Sequence, residues 1–267
     1  IMAYTNIDDP SAYFQATTYT GGGANTEVTN SGNSDLKPDF LWIKNRTAGY
    51  GHFVVDSNRN ISYAQNSSNA PYLETESTAV ENNNQNWMAS VNTNGFTTGI
   101  SEHINNNSGS AFVAWQWKAN GGTTASNTDG DVTTTVQANQ DAGFSIVTWT
   151  TGTTAGNITA GHGLGAVPNV VIYRARGQAQ DWLVYHHSLG TNHYTKLNTT
   201  AAKVAYDYTV GAGVTSSVFG YRYPNTVFGN QTYIAYCFAE KQGYSKFGSY
   251  VGNGNANGAF VYTGFKP

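Results

Sequence analysis

Three histidines, His186, His187 and His193, follow closely on Asp181. Imidazole nitrogens beside a carboxylate are the parts of a zinc site or of a general base. On a strand, however, adjacent residues point to opposite faces, so His186 and His187 are expected to diverge and not to share one ion. Their counterparts earlier in the chain, Asp56 and Ser57, do not repeat the pattern. Asp129-Gly130-Asp131 offers two carboxylates, but a calcium loop needs more oxygens at fixed spacing and a distal Glu. It reads as a glycine turn. Gly161-His162-Gly163-Leu164-Gly165 lacks the lysine and the following helix of a phosphate loop, and reads as a turn leading to Pro168. No Gly-x-Ser-x-Gly elbow is present, and the sparse carboxylates show no paired spacing. These residues predict no enzyme, no metal and no cofactor.

Binding chemistry has better candidates. Lys44 and Arg46 lie on one face of an alternating run, and Arg174 and Arg176 repeat them 130 residues later. Two cations on one strand face can grip a carboxylate of a neighbouring module or an acidic glycan; the plain alternative is a charged strand end that keeps an edge soluble. Tyr206, Tyr208, Tyr221 and Tyr223 lie in glycine-rich, loop-like sequence and are expected to be exposed, as aromatics that stack on sugars must be. Trp42, Trp115 and Trp117 alternate with Val and Ala and are expected to pack inside, with Trp115 and its counterpart Tyr236 as core residues.

Composition limits the partners. Only 11% of residues are charged, against about 25% in an average soluble chain. The 13 Lys and Arg form no run and the net charge is −3, so the counterion release that drives nucleic-acid binding has no clustered source. A single cysteine, Cys237, excludes an intrachain disulfide. No stretch approaches the ~18 apolar residues that span a bilayer as a helix, so membrane insertion is not expected. Low charge with many aromatics favours surfaces covered by a like subunit; a homo-oligomer, a trimer, is the expectation.

The elements that must position these residues are strands. Phe40-Leu-Trp-Ile-Lys-Asn-Arg46 alternates with period two, and so does Val170-Val-Ile-Tyr-Arg-Ala-Arg176. Pairs such as Asn94-Gly95, Asp129-Gly130 and Asn253-Gly254 punctuate the runs. The two runs also align with each other. Phe14 to Gly21 matches Phe144 to Gly152, and Pro38 matches Pro168, at an offset of 130. Phe112-Val-Ala-Trp-Gln-Trp117 matches Tyr233-Ile-Ala-Tyr-Cys-Phe238 at an offset of 121, so the second copy is nine residues shorter around Glu81 to Asn86. Tyr250-Val-Gly252 and Phe265-Lys-Pro267 resemble Tyr19-Thr-Gly21 and Leu36-Lys-Pro38. The fold class predicted is all-β: two tandem antiparallel β-sandwich or jelly-roll modules from an internal duplication, plus a partial third repeat. The boundaries read 1–119, a linker over 120–141, 142–243, and 244–267 as the start of a third repeat or a closing strand. The last segment, lacking its own partner strands, is expected to reach a neighbouring subunit.

Three long runs also carry a family resemblance: Asp181-Trp-Leu-Val-Tyr-His-His-Ser-Leu-Gly190, Tyr233 to Tyr250, and Phe40 to Arg46. With them the chain resembles a tandem module of predicted virion proteins of marine tailed bacteriophages, in fibre-like or appendage proteins. The first copy departs from it where His52-Phe53 replaces the Trp-centred motif. The resemblance implies a structural component of a virion surface, whether fibre, appendage or capsid decoration. It implies other virion proteins as partners and host glycans as a possible contact, and it carries no catalytic residue. A carbohydrate-binding adhesin outside a virion is the alternative.

Overall fold

The alternating, uncharged runs form strands, and glycine-bearing turns separate them. A computed structural model describes residues 5, 7–60, 70–84, 87–100, 105–152, 156–205, 213–223 and 230–265. Among these it contains nineteen strands, β1 to β19 along the chain, and every strand pairing is antiparallel.

The first large sheet runs β1 (Phe14–Thr20), β9 (Ala111–Trp117), β3 (Phe40–Asn45), β4 (His52–Asp56), β5 (Ala70–Glu74), β6 (Asn82–Asn84). The second runs β10 (Ala125–Asn127), β11 (Thr134–Asn139), β12 (Phe144–Thr150), β19 (Thr232–Phe238), β14 (Val170–Ala175), β15 (Leu183–His186), β16 (His193–Lys196), β17 (Val204–Ala205). From β12 onward its order is that of the first sheet. Register agrees as well: Phe40 and Val170 lie opposite Trp117 and Phe238, and Trp42 and Ile172 lie opposite Trp115 and Tyr236.

Each large sheet carries a small one on its outer face. Val28, Met88 and Phe96, from the sheet β2 (Glu27–Thr29), β8 (Gly95–Thr98), β7 (Met88–Asn92), cover Leu41, Ile43, Val55 and Phe112. The pair β13 (Gly156–Gly161) and β18 (Val218–Tyr223) brings Ala160, Phe219 and Tyr221 onto Val147, Val171, Tyr233 and Cys237. The two large sheets then pack against each other. Phe40, Val54, Leu73 and Ala119 share a third core with Phe144, Ile146, Trp182, Ile234 and Tyr236. The molecule is therefore four layers with three cores, in which the two sandwiches stand back to back rather than as separate beads.

Two expectations about the chain's course change. Residues 120–141 are not a linker: they supply β10 and β11, which extend the second sheet beyond β12. Threonine and valine in that stretch favour a strand over a flexible connection. Among residues 244–265 no strand forms, apart from an isolated bridge between Lys241 and Ser245.

Of the tryptophans, Trp42 and Trp117 pack against the third core while only partly buried, and Trp115 does not join it. In β9 the fully buried side chains are Phe112, Ala114 and Gln116, while Trp115 and Trp117 are half-buried, as is Trp42 in β3. Gln116 is admitted to the interior because Asn30 pairs with it amide to amide, and its Nε2 donates to Thr17 Oγ1 at 3.1 Å. Trp117 faces the second sheet and packs on Phe144 and Phe238. Trp115 lies farther out beside Trp42, whose indole donates to His52 Nδ1 at 3.1 Å. Tyr236 is buried, as expected.

Candidate binding surface and the seam beside it

Arg174 in β14 and Arg176 just past its end face the seam between the large sheets. Arg174 is fully buried. Its guanidinium donates to the carbonyls of Ser77 (3.1 Å), Thr78 (3.1 Å), Ala79 (2.7 Å) and Ala175 (2.9 Å), and lies 5.3 Å from the centre of the Trp182 ring. Burial first, and then the charge of Arg59, pull it down to about 10, so it remains a cation at neutral pH. Four carbonyls and an aromatic face supply the solvation it has lost.

Arg176, one strand position outward, forks onto Glu81. Its Nε meets Oε2 at 2.8 Å and its Nη2 meets Oε1 at 2.6 Å. Glu81 also accepts from Arg59 Nη1 at 2.9 Å, and Arg59 Nε donates to Asp56 Oδ2 at 2.6 Å. The Tyr236 hydroxyl closes the group by donating to Asp56 at 2.7 Å and accepting from Arg59 at 3.1 Å. Burial alone would raise Glu81, but the hydrogen bond from Arg176 and the charge of Arg59 outweigh it and hold its carboxyl low. Residues Ser77 to Glu81 thus strap the first sheet to the second. Trp182, whose Nε1 donates to Glu74 O at 2.7 Å, adds a further tie.

The cations of β3 are placed differently. Lys44 donates to Tyr50 O, and Arg46 is exposed. Among the described residues neither forms an ion pair with a carboxylate.

Beside Arg176 lies an open cleft of about 390 Å³ on the second sheet. Its floor is hydroxylated: Thr135 lies opposite Thr148, Thr150 lies opposite Thr232, and Thr133 stands at the margin. All but the half-buried Thr148 are exposed. Sequence reasoning named Arg176 but not these threonines. The signal was there, since Thr133 with Thr135 and Thr148 with Thr150 alternate as one face of a strand must.

The tyrosine candidates separate. Tyr221 is a core residue, 2% exposed, packed on Trp149 with centroids at 5.0 Å and on Tyr233 at 5.8 Å. Its expected exposure is corrected: the glycine-rich sequence around it forms β18, which lies over the second sheet. Tyr206 and Tyr208 lie outside the described residues. Tyr223 ends β18, and its side chain is likewise outside what is described.

Among the described residues the histidines do not gather into a group of metal-ligating side chains. Instead of diverging, the His186 and His187 rings stack at 5.0 Å, because the chain leaves β15 for a short 3-10 turn, His187–Leu189. His186 Nδ1 accepts from Ser188 N at 3.2 Å, and His187 Nε2 lies 3.0 Å from Phe247 O. Asp181 pairs with Lys196 at 2.6 Å. Among the described residues no three metal-ligating side chains gather. Asp131 accepts from Thr159 N (2.9 Å) and Oγ1 (2.8 Å), and Asp129 accepts from Asn127 Nδ2 at 2.9 Å, so both carboxylates hold the turn. Gly130 is required there, since a Cβ would sit 2.5 Å from Thr159 O. His162 is buried, its Nδ1 accepting from Leu164 N at 3.1 Å and its Nε2 facing Thr215 O at 3.2 Å.

A family model described as Domain of unknown function (DUF7483) matches residues 9–267. No curated protein and no solved structure matches the chain.

Proposed function

The chain belongs to this family of unknown function, and we propose that it is a non-enzymatic structural protein of a bacteriophage virion surface: a subunit of a fibre, an appendage or a capsid decoration. The observation that carries the reading is the use made of buried charge. Arg59, Arg174 and Arg176 join one sheet to the other through Glu81, Asp56 and three carbonyls of the strap. A part that must keep its shape needs such ties, whereas a catalyst keeps ionisable groups free in a cleft. The tandem strand order, the low charge and the resemblance of the long motifs support the same reading. On it the protein works at the particle surface, without a cofactor, beside other virion proteins and copies of itself.

The threonine-floored cleft supports a contact with host glycans. Threonine hydroxyls paired across neighbouring strands offer both donors and acceptors to the hydroxyls of a sugar. The same cleft favours the second reading, a carbohydrate-binding adhesin outside any particle. Immunogold labelling of particles with an antibody to the chain, together with a glycan array probed with the purified protein, separates the two. Labelled particles are expected. Glycan binding with no labelled particle favours the adhesin, and turnover of a bound sugar overturns the non-enzymatic assignment.

A further inference from the structure

Among the described residues β1 is the longest strand at the edge of a sheet. It has seven residues, whereas at the other edges of the large sheets β6 and β10 have three each and β17 has two, and in the small sheets β7 has five and β13 and β18 have six each. Gly21 N donates to Ser110 O and Lys118 N to Tyr13 O, so the odd-numbered residues of β1 bond to β9. Antiparallel geometry then turns the N–H and C=O groups of Phe14, Ala16, Thr18 and Thr20 outward. Ala16, Thr18 and Thr20 are exposed, and β1 carries no charge, proline or bulge of the kind that protects such an edge. In the second sheet the same edge is covered: β11 runs antiparallel along β12, with Thr134 opposite Trp149 and Asn139 opposite Phe144. Among the described residues nothing takes that place on β1.

The chain also holds a segment suited to it. From Tyr244 it runs out to a tip at Asn253–Asn257, closed by Asn253 Nδ2 donating to Asn257 O at 2.8 Å. It then returns until Tyr262 lies under Lys246, 5.7 Å from ring centre to Nζ. This arm is not packed down, since an open cleft of about 440 Å³ lies at its base. Tyr250, Val251, Phe260, Val261 and Tyr262 are 71%, 87%, 90%, 53% and 68% exposed. No charged residue occurs from Phe247 to Phe265, and Ala259-Phe-Val-Tyr-Thr263 has the composition of a strand.

We propose that the arm of one copy adds its return limb, Ala259 to Thr263, as an antiparallel strand to the open edge of β1 in a second copy, across Phe14 to Tyr19, as β11 covers β12. Neutral donor and neutral edge meet without repulsion, and apolar side chains on the arm leave water. Each copy offers one arm and one edge, so the contact is head to tail and makes either a closed ring or a fibre. The proposal goes beyond the virion reading and stands without it.

Two variants test it by light scattering. One lacks residues 246–265 and keeps its edge. The other, Thr18→Lys, keeps its arm and carries a charge on the exposed edge, with Thr20→Lys as a substitute should it misfold. Far-UV circular dichroism checks that each is folded. The intact chain is expected to gain mass with concentration, each variant alone to stay monomeric, and an equimolar mixture to stop at a one-to-one dimer. An intact chain that remains monomeric at several hundred micromolar overturns the proposal, as do Thr18→Lys chains that still assemble among themselves.

Discussion

The guanidinium of Arg176 and the carboxylate of Glu81 meet at two points, 2.8 and 2.6 Å, from opposite halves of the chain. The same carboxylate serves the fully buried Arg59. Replacing Glu81 by Ala leaves two guanidinium groups short of a partner, one of them out of reach of water. A loss of about 2–3 kcal/mol is expected, since removal of one member of a buried charged network costs more than the network contributes. Urea unfolding of Glu81→Ala, Arg176→Ala and the double variant measures it. Strictly additive losses would show that the fork carries no coupling.

Acid should weaken the fold in two steps. Burial depresses the pKa of His162 below its ordinary value of 6.5, although Thr215 O opposes the shift, and its Nδ1 already accepts from Leu164 N. The folded state therefore binds this proton less readily than the unfolded one. Its contribution is present above about pH 6.5 and is lost as pH falls toward the folded pKa. Glu81, held below its ordinary value of 4.5, adds a second loss below that pH. A melting temperature that stays flat from pH 7 to pH 5 would contradict the first step. His162→Gln should reduce that step, to which His52 and His186, also lowered by burial, contribute, and should leave the second.

Alkali should act through Cys237. Burial pushes its thiol well above the ordinary value of 9.0, against a smaller opposing effect of Ser145. The folded state holds the proton that the unfolded state gives up, so stability present below pH 9 is lost as pH rises beyond it. Cys237→Ser, followed from pH 8 to pH 10.5, is expected to show a shallower decline than the parent.

Trp182 and Trp115 should respond unequally to truncation. Trp182 is fully buried, stacked 6.2 Å from Tyr236 and lying under Arg174; Trp182→Ala should cost about 3–5 kcal/mol. Trp115 is half-buried at the margin of the seam, and its replacement should cost about 1–2 kcal/mol. Calorimetry of the two variants reads the difference, and equal losses would put Trp115 back among the core residues.

Thr150→Ala and Thr232→Ala test the cleft. Both side chains are exposed, so stability should stay within about 0.5 kcal/mol of the parent. Any glycan bound there should be lost or weakened. Retained binding in the double variant would move the contact elsewhere.

Strands and turns were legible in the sequence because alternation and glycine pairs are local signals. Phe40 and Val170, 130 residues apart, hold the same place in their sheets. Which face of a strand is inside was less legible. β9 reads as Val113, Trp115 and Trp117 inside, yet Phe112, Ala114 and Gln116 are the fully buried residues, and Asn30 and Thr17, far away in sequence, make the last tolerable. Arg176 was legible as half of a grip, but its partner was not. Glu81 lies in the stretch where the two copies differ in length, which reads as a loop free to vary. The strap that ties the sheets together ends where that difference begins, at Glu81. The back-to-back packing was hidden for a related reason: a strand with apolar residues on both faces looks the same whether its second cover comes from its own half or from the other.

Tyr13 and Tyr244 meet edge to face with ring centres 6.1 Å apart, and Gly243 lies against Thr5. The path through both sandwiches thus leaves from one corner and comes back to it. Tension carried along the segments that flank these two residues would pass from one to the other across that corner, and both sheets would hang beside the line of force as a pendant.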